Sequence, residues 1–312
     1  MLLDLLALVG GLALLVVAAS VLVRGAAALA LRLGLSPLVV GLTVVAFGTS
    51  APELVVSVQA ALAGAGGIAV GNVVGSNVAN VGLILGLAVL VRPIASDPAL
   101  LRRDLPVLIA ATALTVALLL DQAVGRGEGA VLLGALVAYI VWSVRASRRE
   151  QAAVDLPVEA PTGPAWRDGA LVALGLAGLV GGADLFVGGA VRIAEAAGVS
   201  NAVIGLTVVA VGTSLPELAT SVVAAVRGEG EIAAGNVVGS NLFNVLGILG
   251  VGALAAPLEA PGLRPVDLAV VSVFTLALVP MMVSGRRLVR AEAGLLLVGY
   301  AAYMAFLLLV PS

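Results

Sequence analysis

The chain has 312 residues, of which 61% are hydrophobic and 11% charged, with a net charge of −2. An ordinary soluble domain runs near 45–50% apolar and about 25% charged; with a mean hydropathy of +1.20, this composition excludes a soluble enzyme, a nucleic-acid binder and a disordered scaffold. It predicts an integral membrane protein built of helices. The absence of Cys and His removes disulfides, thiolate ligands and histidine acid–base chemistry, and argues against the usual zinc and haem sites.

A helix that spans a bilayer needs about 17–25 apolar residues. Ten such segments follow along the chain, near 3–23, 37–62, 69–91, 104–120, 129–147, 169–191, 202–226, 231–256, 266–284 and 292–310. The first opens MLLDLLALVGG, lacks the basic n-region of a cleavable signal peptide, and is expected to be a retained helix. The spans at 37–62 and 202–226 are interrupted by Gly and Pro and are expected to be broken. One clearly polar interval, Arg145 to Asp168, falls between the fifth and sixth spans. It is too short and too polar for a domain and reads as a linker. The expected organisation is five helices in 1–147, a linker at 148–168 and five helices in 169–312.

Arginine supplies the orientation, since all basic residues are Arg. With the N-terminus outside, thirteen arginines fall on inner loops and three, Arg126, Arg192 and Arg264, on outer ones. The positive-inside rule then puts both termini outside and the linker in the cytoplasm, in a multi-pass protein of the cell (inner or plasma) membrane.

The chain repeats itself. Residues 41–54 read GLTVVAFGTSAPEL and residues 205–218 read GLTVVAVGTSLPEL, identical at twelve of fourteen positions. Downstream, GNVVGSNVAN at 71–80 matches GNVVGSNLFN at 235–244 at the same offset of 164 residues. Each half holds five spans, an odd number, so the halves should sit in the membrane in opposite orientation. The predicted fold is an all-α polytopic membrane protein, ten transmembrane helices arranged as two inverted five-helix repeats with their motifs at 41–80 and 205–244. Such repeats are common in secondary transporters, with the binding site near the midplane where they meet.

Glu53 and Glu217 lie mid-span, where a charged carboxylate costs at least about 2.5–3.5 kcal/mol. No Arg lies mid-span to pair with them; Arg24 and Arg192 sit near span ends. Two bland roles stay open, a structural carboxylate paired to a cation or a protonated acid. The functional reading is that both face a shared cavity and bind a cation. Beside them, Gly48-Thr49-Ser50-Ala51-Pro52 and Gly212-Thr213-Ser214-Leu215-Pro216 should loosen the helices, because Pro lacks an N–H and its ring crowds the carbonyl four residues back. Carbonyls around Ala46 to Thr49 and Ala210 to Thr213 should be freed as ligands.

In the second block, Asn72, Ser76, Asn77 and Asn80, and Asn236, Ser240, Asn241 and Asn244, make one helical face polar. Gly71/Gly75 and Gly235/Gly239 form GxxxG, read as helix packing. Asn72 and Asn77 with their counterparts are expected to serve helix–helix hydrogen bonds. Ser76, Asn80, Ser240 and Asn244 are better placed as ligands. The donors are then all oxygen, which suits hard ions such as Ca²⁺ and Na⁺, with Mg²⁺ less attractive. A carboxylate so placed can also carry a proton. Asp184 stands at the repeat equivalent of Ser20; it could line an outer access path or mark the headgroup boundary.

At these residues the chain resembles the sodium/calcium exchanger family of the cation/Ca²⁺ exchanger superfamily, whose two α-repeats match the GTSxPE and GNVVGSN blocks. The resemblance covers essentially the whole chain, and the short linker is similar to that of prokaryotic members. It implies a Na⁺/Ca²⁺ antiporter working by alternating access, with Ca²⁺ held by Glu53, Glu217, Thr49 and Thr213. Family Na⁺ sites map to Ala46, Ser50, Ser76, Ala210, Ser214 and Ser240, sharing Glu53, Glu217, Thr49 and Thr213, with Asn80 and Asn244 as the central polar pair. Many members carry Asp where this chain has Asn244, so its centre has one ionisable group fewer. The first and sixth spans resemble the pair that slides to switch access. The other readings are a cation/H⁺ antiporter on the same scaffold, a membrane enzyme using the Glu pair, and a passive channel. No cofactor, nucleic acid or protein partner is implied; the partners are inorganic cations and the lipid bilayer.

Overall fold

The computed structural model describes residues 2–153, 163–196 and 212–309. Among them eight helices are long and apolar enough to cross a membrane: α1 (Leu2–Leu33), α4 (Gly66–Val91), α5 (Leu100–Asp121), α6 (Arg126–Ala153), α7 (Ala165–Ala196), α9 (Gly230–Ala255), α10 (Pro265–Val283) and α11 (Arg290–Leu309). A ninth span is a bent pair, α2 (Pro37–Thr49) and α3 (Ala51–Leu62), which meet at 49°. The span expected at 202–226 is described only from residue 212; its helix, α8, runs Leu215–Arg227, and the earlier residues lie outside the described set.

Four two-residue strands were not expected in an all-helical chain. They are β1 (Ile94–Ala95), β2 (Ala123–Val124), β3 (Leu258–Glu259) and β4 (Arg287–Leu288). β1 pairs antiparallel with β4, and β2 with β3. Ile94 faces Leu288 and Val124 faces Leu258, so adding 164 to one residue and subtracting it from the other turns the first pair into the second. Each pair joins the two halves of the chain at a span end, where otherwise unpaired backbone groups need partners.

The 148–168 linker is also narrower than expected. α6 continues to Ala153 and α7 begins at Ala165, because a helix satisfies its own backbone whether or not its side chains are polar. Residues 154–162 lie outside the described set.

α1 and α7, each of 32 residues, run about 48 Å at 1.5 Å per residue, well beyond the hydrocarbon core of about 30 Å. They lie antiparallel along their full length. The seam is small residues at seven-residue spacing, Gly11, Ala18 and Gly25 on α1 and Gly175, Gly182 and Gly189 on α7. A Cβ added at Gly175 would stand 2.7 Å from the backbone N of Leu22, and one at Gly189 would stand 2.7 Å from the carbonyl of Asp4. Only glycine lets the backbones come so close, the device by which membrane helices associate without a hydrophobic drive. The two ends are closed by ion pairs, Arg32 with Asp168 and Arg192 with Asp4 at 2.6 Å.

α4 and α9 form the enclosed centre. Gly41 of α2 abuts Ile232 and Gly235 of α9. α2 therefore runs against the Gly-rich face of α9, and the bend that follows carries the chain to Glu53.

Candidate functional site

The break between α2 and α3 comes at Ser50, whose φ of −83° and ψ of 7° leave the helix. The corresponding break before α8 comes at Ser214, with φ −89° and ψ 5°. In both, Pro occupies the first turn of the next helix, where its missing N–H costs nothing, and Glu follows. Sequence and local geometry thus set Glu53 and Glu217 one turn inside a helix start. The side chains are almost fully enclosed, at 2% and 1% exposure.

What joins them crosses between the halves. The Ser50 hydroxyl donates to Glu217 Oε1 at 2.8 Å, and the Ser214 hydroxyl donates to Glu53 Oε1 at 3.3 Å. Thr213 lies beside the Glu53 carboxylate and Thr49 beside that of Glu217. The Thr49 hydroxyl also faces Asn236 Oδ1 at 3.1 Å.

The asparagines form a frame around this centre. Asn72 Nδ2 donates to the Glu53 carbonyl at 3.2 Å and to Ser57 Oγ at 2.9 Å. Asn236 Nδ2 does the same to the Glu217 carbonyl and Ser221, at 3.4 and 2.9 Å. Asn77 and Asn241 each donate to the other's backbone carbonyl, at 3.3 and 3.4 Å. Asn80 Nδ2 then donates to Asn241 Oδ1 at 3.0 Å, and Asn244 Nδ2 to Asn77 Oδ1 at 2.9 Å. The expected structural use of Asn72 and Asn77 is met. Every one of these bonds has its twin 164 residues along.

α4 and α9 each widen into a π-helical turn here, Asn80–Leu85 and Phe243–Ile248. Such a turn adds a residue to the helix circumference and often marks a functional site. Here it brings Asn80 and Asn244 to the centre.

The asparagine amides in this frame all donate, and what remains is oxygen. Glu53 Oε2, Glu217 Oε2, Asn80 Oδ1, Asn244 Oδ1 and Ser240 Oγ are buried with no hydrogen-bond partner. Buried polar groups without partners are rare and costly. Four of these five are carbonyl-type oxygens that can only accept. A cation would satisfy them. No described Arg pairs with either Glu: Arg192 is held by Asp4, and Arg24 makes no ion pair among the described residues. The structural-carboxylate reading therefore has no partner among them.

Two expectations need revision or fall short. The carbonyl of Ala46 is not free, since it accepts from Ser50 N–H at 3.0 Å and faces the Thr49 hydroxyl at 3.3 Å. The helix tightens at the bend and reuses that carbonyl; the one that loses its i+4 donor is Gly48, opposite Pro52. Ala210 lies outside the described residues.

Ser76 and Ser214 line a cavity of about 320 Å³ that also touches Asn72, Asp267 and Tyr303. Asp184 lines a second cavity of about 420 Å³ that reaches Pro52 and Thr213. It is exposed on α7.

Two networks were not foreseen. Asp104, fully buried, is held by Arg103 at 2.9 Å and by the Tyr139 hydroxyl at 2.9 Å. Asp267 is held by Arg264 at 3.2 Å and by the Tyr303 hydroxyl at 2.9 Å. They tie α5 to α6 and α10 to α11. The available signal was an Arg–Asp pair early in a span with Tyr at matching positions 139 and 303, obscured because the acidic residues differ by 163 residues rather than 164.

Comparison with known proteins gives a consistent picture. The family model described as sodium/calcium exchanger protein matches residues 3–145 and 169–309. The chain is 40% identical over 258 residues to the putative antiporter CaxA of Alkalimonas amylolytica, covering 80% of this chain and 81% of that one. It is 32% identical over 291 residues to the sodium/calcium exchanger MaX1 of Methanosarcina acetivorans, covering 80% and 82%. A solved structure of the sodium-calcium exchanger NCX_Mj superposes with a TM-score of 0.86 at 34% identity over 98% of both chains.

Proposed function

The chain belongs to the sodium/calcium exchanger family, and from that premise we propose that it is a secondary active antiporter exchanging Na⁺ for Ca²⁺ by alternating access. One observation carries the reading: two carboxylates and two asparagines, related by the repeat, each keep a buried side-chain oxygen without a hydrogen-bond partner. Two Glu charges neutralise one divalent ion. The surrounding oxygens supply the remaining ligands that a hard cation takes at flexible geometry.

Ca²⁺ is held by Glu53, Glu217, Thr49 and Thr213. Na⁺ uses the same groups together with Ser50, Ser76, Asn80, Ala210, Ser214, Ser240 and Asn244; Ala46 joins them only if its carbonyl gives up the Thr49 hydroxyl. Sharing the carboxylates makes the two ions exclude each other, which is what converts binding into exchange. Ser50 and Ser214 are the pivots: each hydroxyl that now donates to a carboxylate can rotate and accept an ion instead.

The scaffold we propose is ten spans in two inverted halves, 1–147 and 169–312, with a cytoplasmic linker at 148–168 and both termini outside. The exchange of strand partners between β1–β4 and β2–β3 supports the inversion, as do the mirrored asparagine bonds. The two matched segments of the family model also divide at the linker. Asp184, lining the cavity beside Pro52 and Thr213, borders a path toward the site.

Proton coupling is the second reading, favoured by Asn244. With an amide at that position the centre holds two ionisable groups, Glu53 and Glu217, and Na⁺ loses a charged ligand. The deciding experiment is ⁴⁵Ca²⁺ uptake into proteoliposomes loaded with Na⁺ and diluted into Na⁺-free medium, with Glu53→Gln and Glu217→Gln alongside. Uptake that requires internal Na⁺ and vanishes in both variants is expected. Uptake that ignores Na⁺ and follows a pH gradient would replace Na⁺ by H⁺ as the coupling ion.

A further inference from the structure

The repeat gives the place beside the β1–β4 pair a twin beside β2–β3, and only the first carries arginines at the matching positions. Beside the β1–β4 pair is a cavity of about 490 Å³, lined among others by Pro37, Arg92, Glu229, Glu231, Arg286 and Arg287. Subtracting or adding 164 gives the twin place beside β2–β3. There Arg92 becomes Ala256, Arg286 becomes Gln122, Arg287 becomes Ala123, Glu229 becomes Ala65 and Glu231 becomes Gly67, while Ala95 becomes Glu259 and Gly285 becomes Asp121.

The backbone is the same at both ends. Gln122 and Arg286 both take left-handed φ values, 60° and 52°, and both follow a span and precede a strand. Gln122 spends its amide on the Leu263 carbonyl at 3.3 Å. Asp121 Oδ1 accepts from Ala123 N–H at 3.1 Å in the same turn. The fold therefore closes it without arginine, and the arginines at the other end are additions to it.

Their guanidiniums are not consumed by the protein. Among the described residues Arg92, Arg286 and Arg287 make no ion pair. Arg92 donates one bond, Nη1 to the Val226 carbonyl at 3.3 Å, and lies over Gly228, where a Cβ would meet it at 2.9 Å. Arg286 and Arg287 are exposed on the cavity wall. The carboxylates are differently placed. Glu231 interacts with the backbone of Leu38, in the first turn of α2. Glu229 precedes α9 as its cap residue, with its carbonyl bonded to Ala233 N–H at 3.1 Å. The starts of two helices, α2 at Pro37 and α9 at Gly230, open on the same space, and a helix start favours negative charge.

We infer that the cavity between Arg92, Arg286 and Arg287 is a binding site for a phosphate group. Arg presents a planar fork that matches phosphate oxygens in pairs. Two guanidiniums from the turn after α10, with a third from the end of α4, could hold one phosphate from two sides. The group would bridge the halves at the start of α2, the helix that leads to Ser50 and Glu53. The same chemistry comes from an acidic phospholipid headgroup or from free phosphate. On the proposed orientation this end faces the cytoplasm, where acidic lipid headgroups draw basic segments.

The test uses the purified full chain and reads thermal stability, which does not depend on transport. Dioleoyl phosphatidylglycerol, dioleoyl phosphatidylcholine and inorganic phosphate are added separately to wild type, Arg286→Gln/Arg287→Gln and Arg148→Gln/Arg149→Gln. The last pair removes two arginines from the same expected face outside the cavity. Phosphatidylglycerol should raise the wild-type midpoint by a few degrees, as a ligand of the folded state does, while phosphatidylcholine should not. The rise should be lost in Arg286→Gln/Arg287→Gln and kept in Arg148→Gln/Arg149→Gln. A matching rise with inorganic phosphate identifies the free anion as sufficient; its absence identifies the lipid. A rise that survives in Arg286→Gln/Arg287→Gln, or falls equally in both double variants, overturns the site, as does no rise in the wild type. If the double variant does not purify, Arg287→Gln alone gives the same contrast, with a partial loss expected.

Discussion

Ser50 donates to Glu217 at 2.8 Å, a bond between residues 167 positions apart in the chain. Its twin, Ser214 to Glu53, is longer at 3.3 Å. Each broken helix therefore completes the carboxylate site of the other half, and neither half has a whole site by itself.

Removing one of these hydroxyls should affect Na⁺ more than Ca²⁺. A hydrogen bond to a charged group contributes about 1.5–3 kcal/mol, which corresponds to roughly a tenfold or larger change in an equilibrium constant. Ser50→Ala is expected to raise the Na⁺ concentration for half-maximal exchange about tenfold and to move that for Ca²⁺ by less. Titrating ⁴⁵Ca²⁺ flux against each ion checks this; equal shifts for both ions would assign Ser50 a structural role.

The carboxylates should be indispensable one at a time. Glu53→Gln and Glu217→Gln preserve shape and remove charge. Both are expected to fold, judged by a single symmetric size-exclusion peak, and to lose ⁴⁵Ca²⁺ uptake by at least about a hundredfold, since an uncompensated charge on a desolvated ion costs several kcal/mol. Uptake within a few fold of wild type in either would remove that residue from the site.

The Asn77–Asn241 exchange is a stability element. Asn77→Ala strips the Asn244 amide of its acceptor and the Asn241 carbonyl of a donor, leaving a buried donor unpaired. A loss of about 1 kcal/mol is expected, in keeping with hydrogen bonds between membrane helices. A lowered thermal midpoint in detergent, with the Na⁺ and Ca²⁺ concentration dependences of the remaining flux kept, is the predicted outcome.

The α1–α7 seam leaves no room for a Cβ at its glycines. At Gly175 a Cβ would lie 2.7 Å from the Leu22 backbone N, so Gly175→Val must push the two long helices apart. Overpacking of this kind costs about 1–3 kcal/mol. Gly181, with nothing within 4 Å of a built Cβ, is the control: Gly181→Val should leave the thermal midpoint and flux near wild type.

Asn244→Asp adds an ionisable group where the structure has an unpartnered amide oxygen. The variant should bind Na⁺ more tightly and make uptake more sensitive to acid, because a third carboxylate must be free of its proton to take a cation. A pH–flux profile identical to that of the wild type would mean that position 244 does not reach the ion.

The sequence by itself determined the membrane class, the doubled motif at an offset of 164, the breaks ahead of Pro52 and Pro216 and the two intramembrane carboxylates. These follow from local rules: hydropathy counts residues, Pro lacks an N–H, and an acid in an apolar span is conspicuous. The structural role of Asn72 and Asn77 was also legible, from GxxxG and helical spacing. Only the tertiary structure decided which groups meet. An offset of 164 says that Ser50 and Ser214 are equivalent; it does not say that each bonds the other half's Glu. That choice depends on how the two halves cross, and hydrogen bonds are decided within a few tenths of an ångström. The same holds for the Ala46 carbonyl, expected to be free and found engaged by Ser50. It holds too for the strand pairs, since two residues of extended chain carry no period to read. The α1–α7 seam lay in the sequence as glycines seven apart, but glycine is common here, and only the facing backbone gives that spacing its meaning.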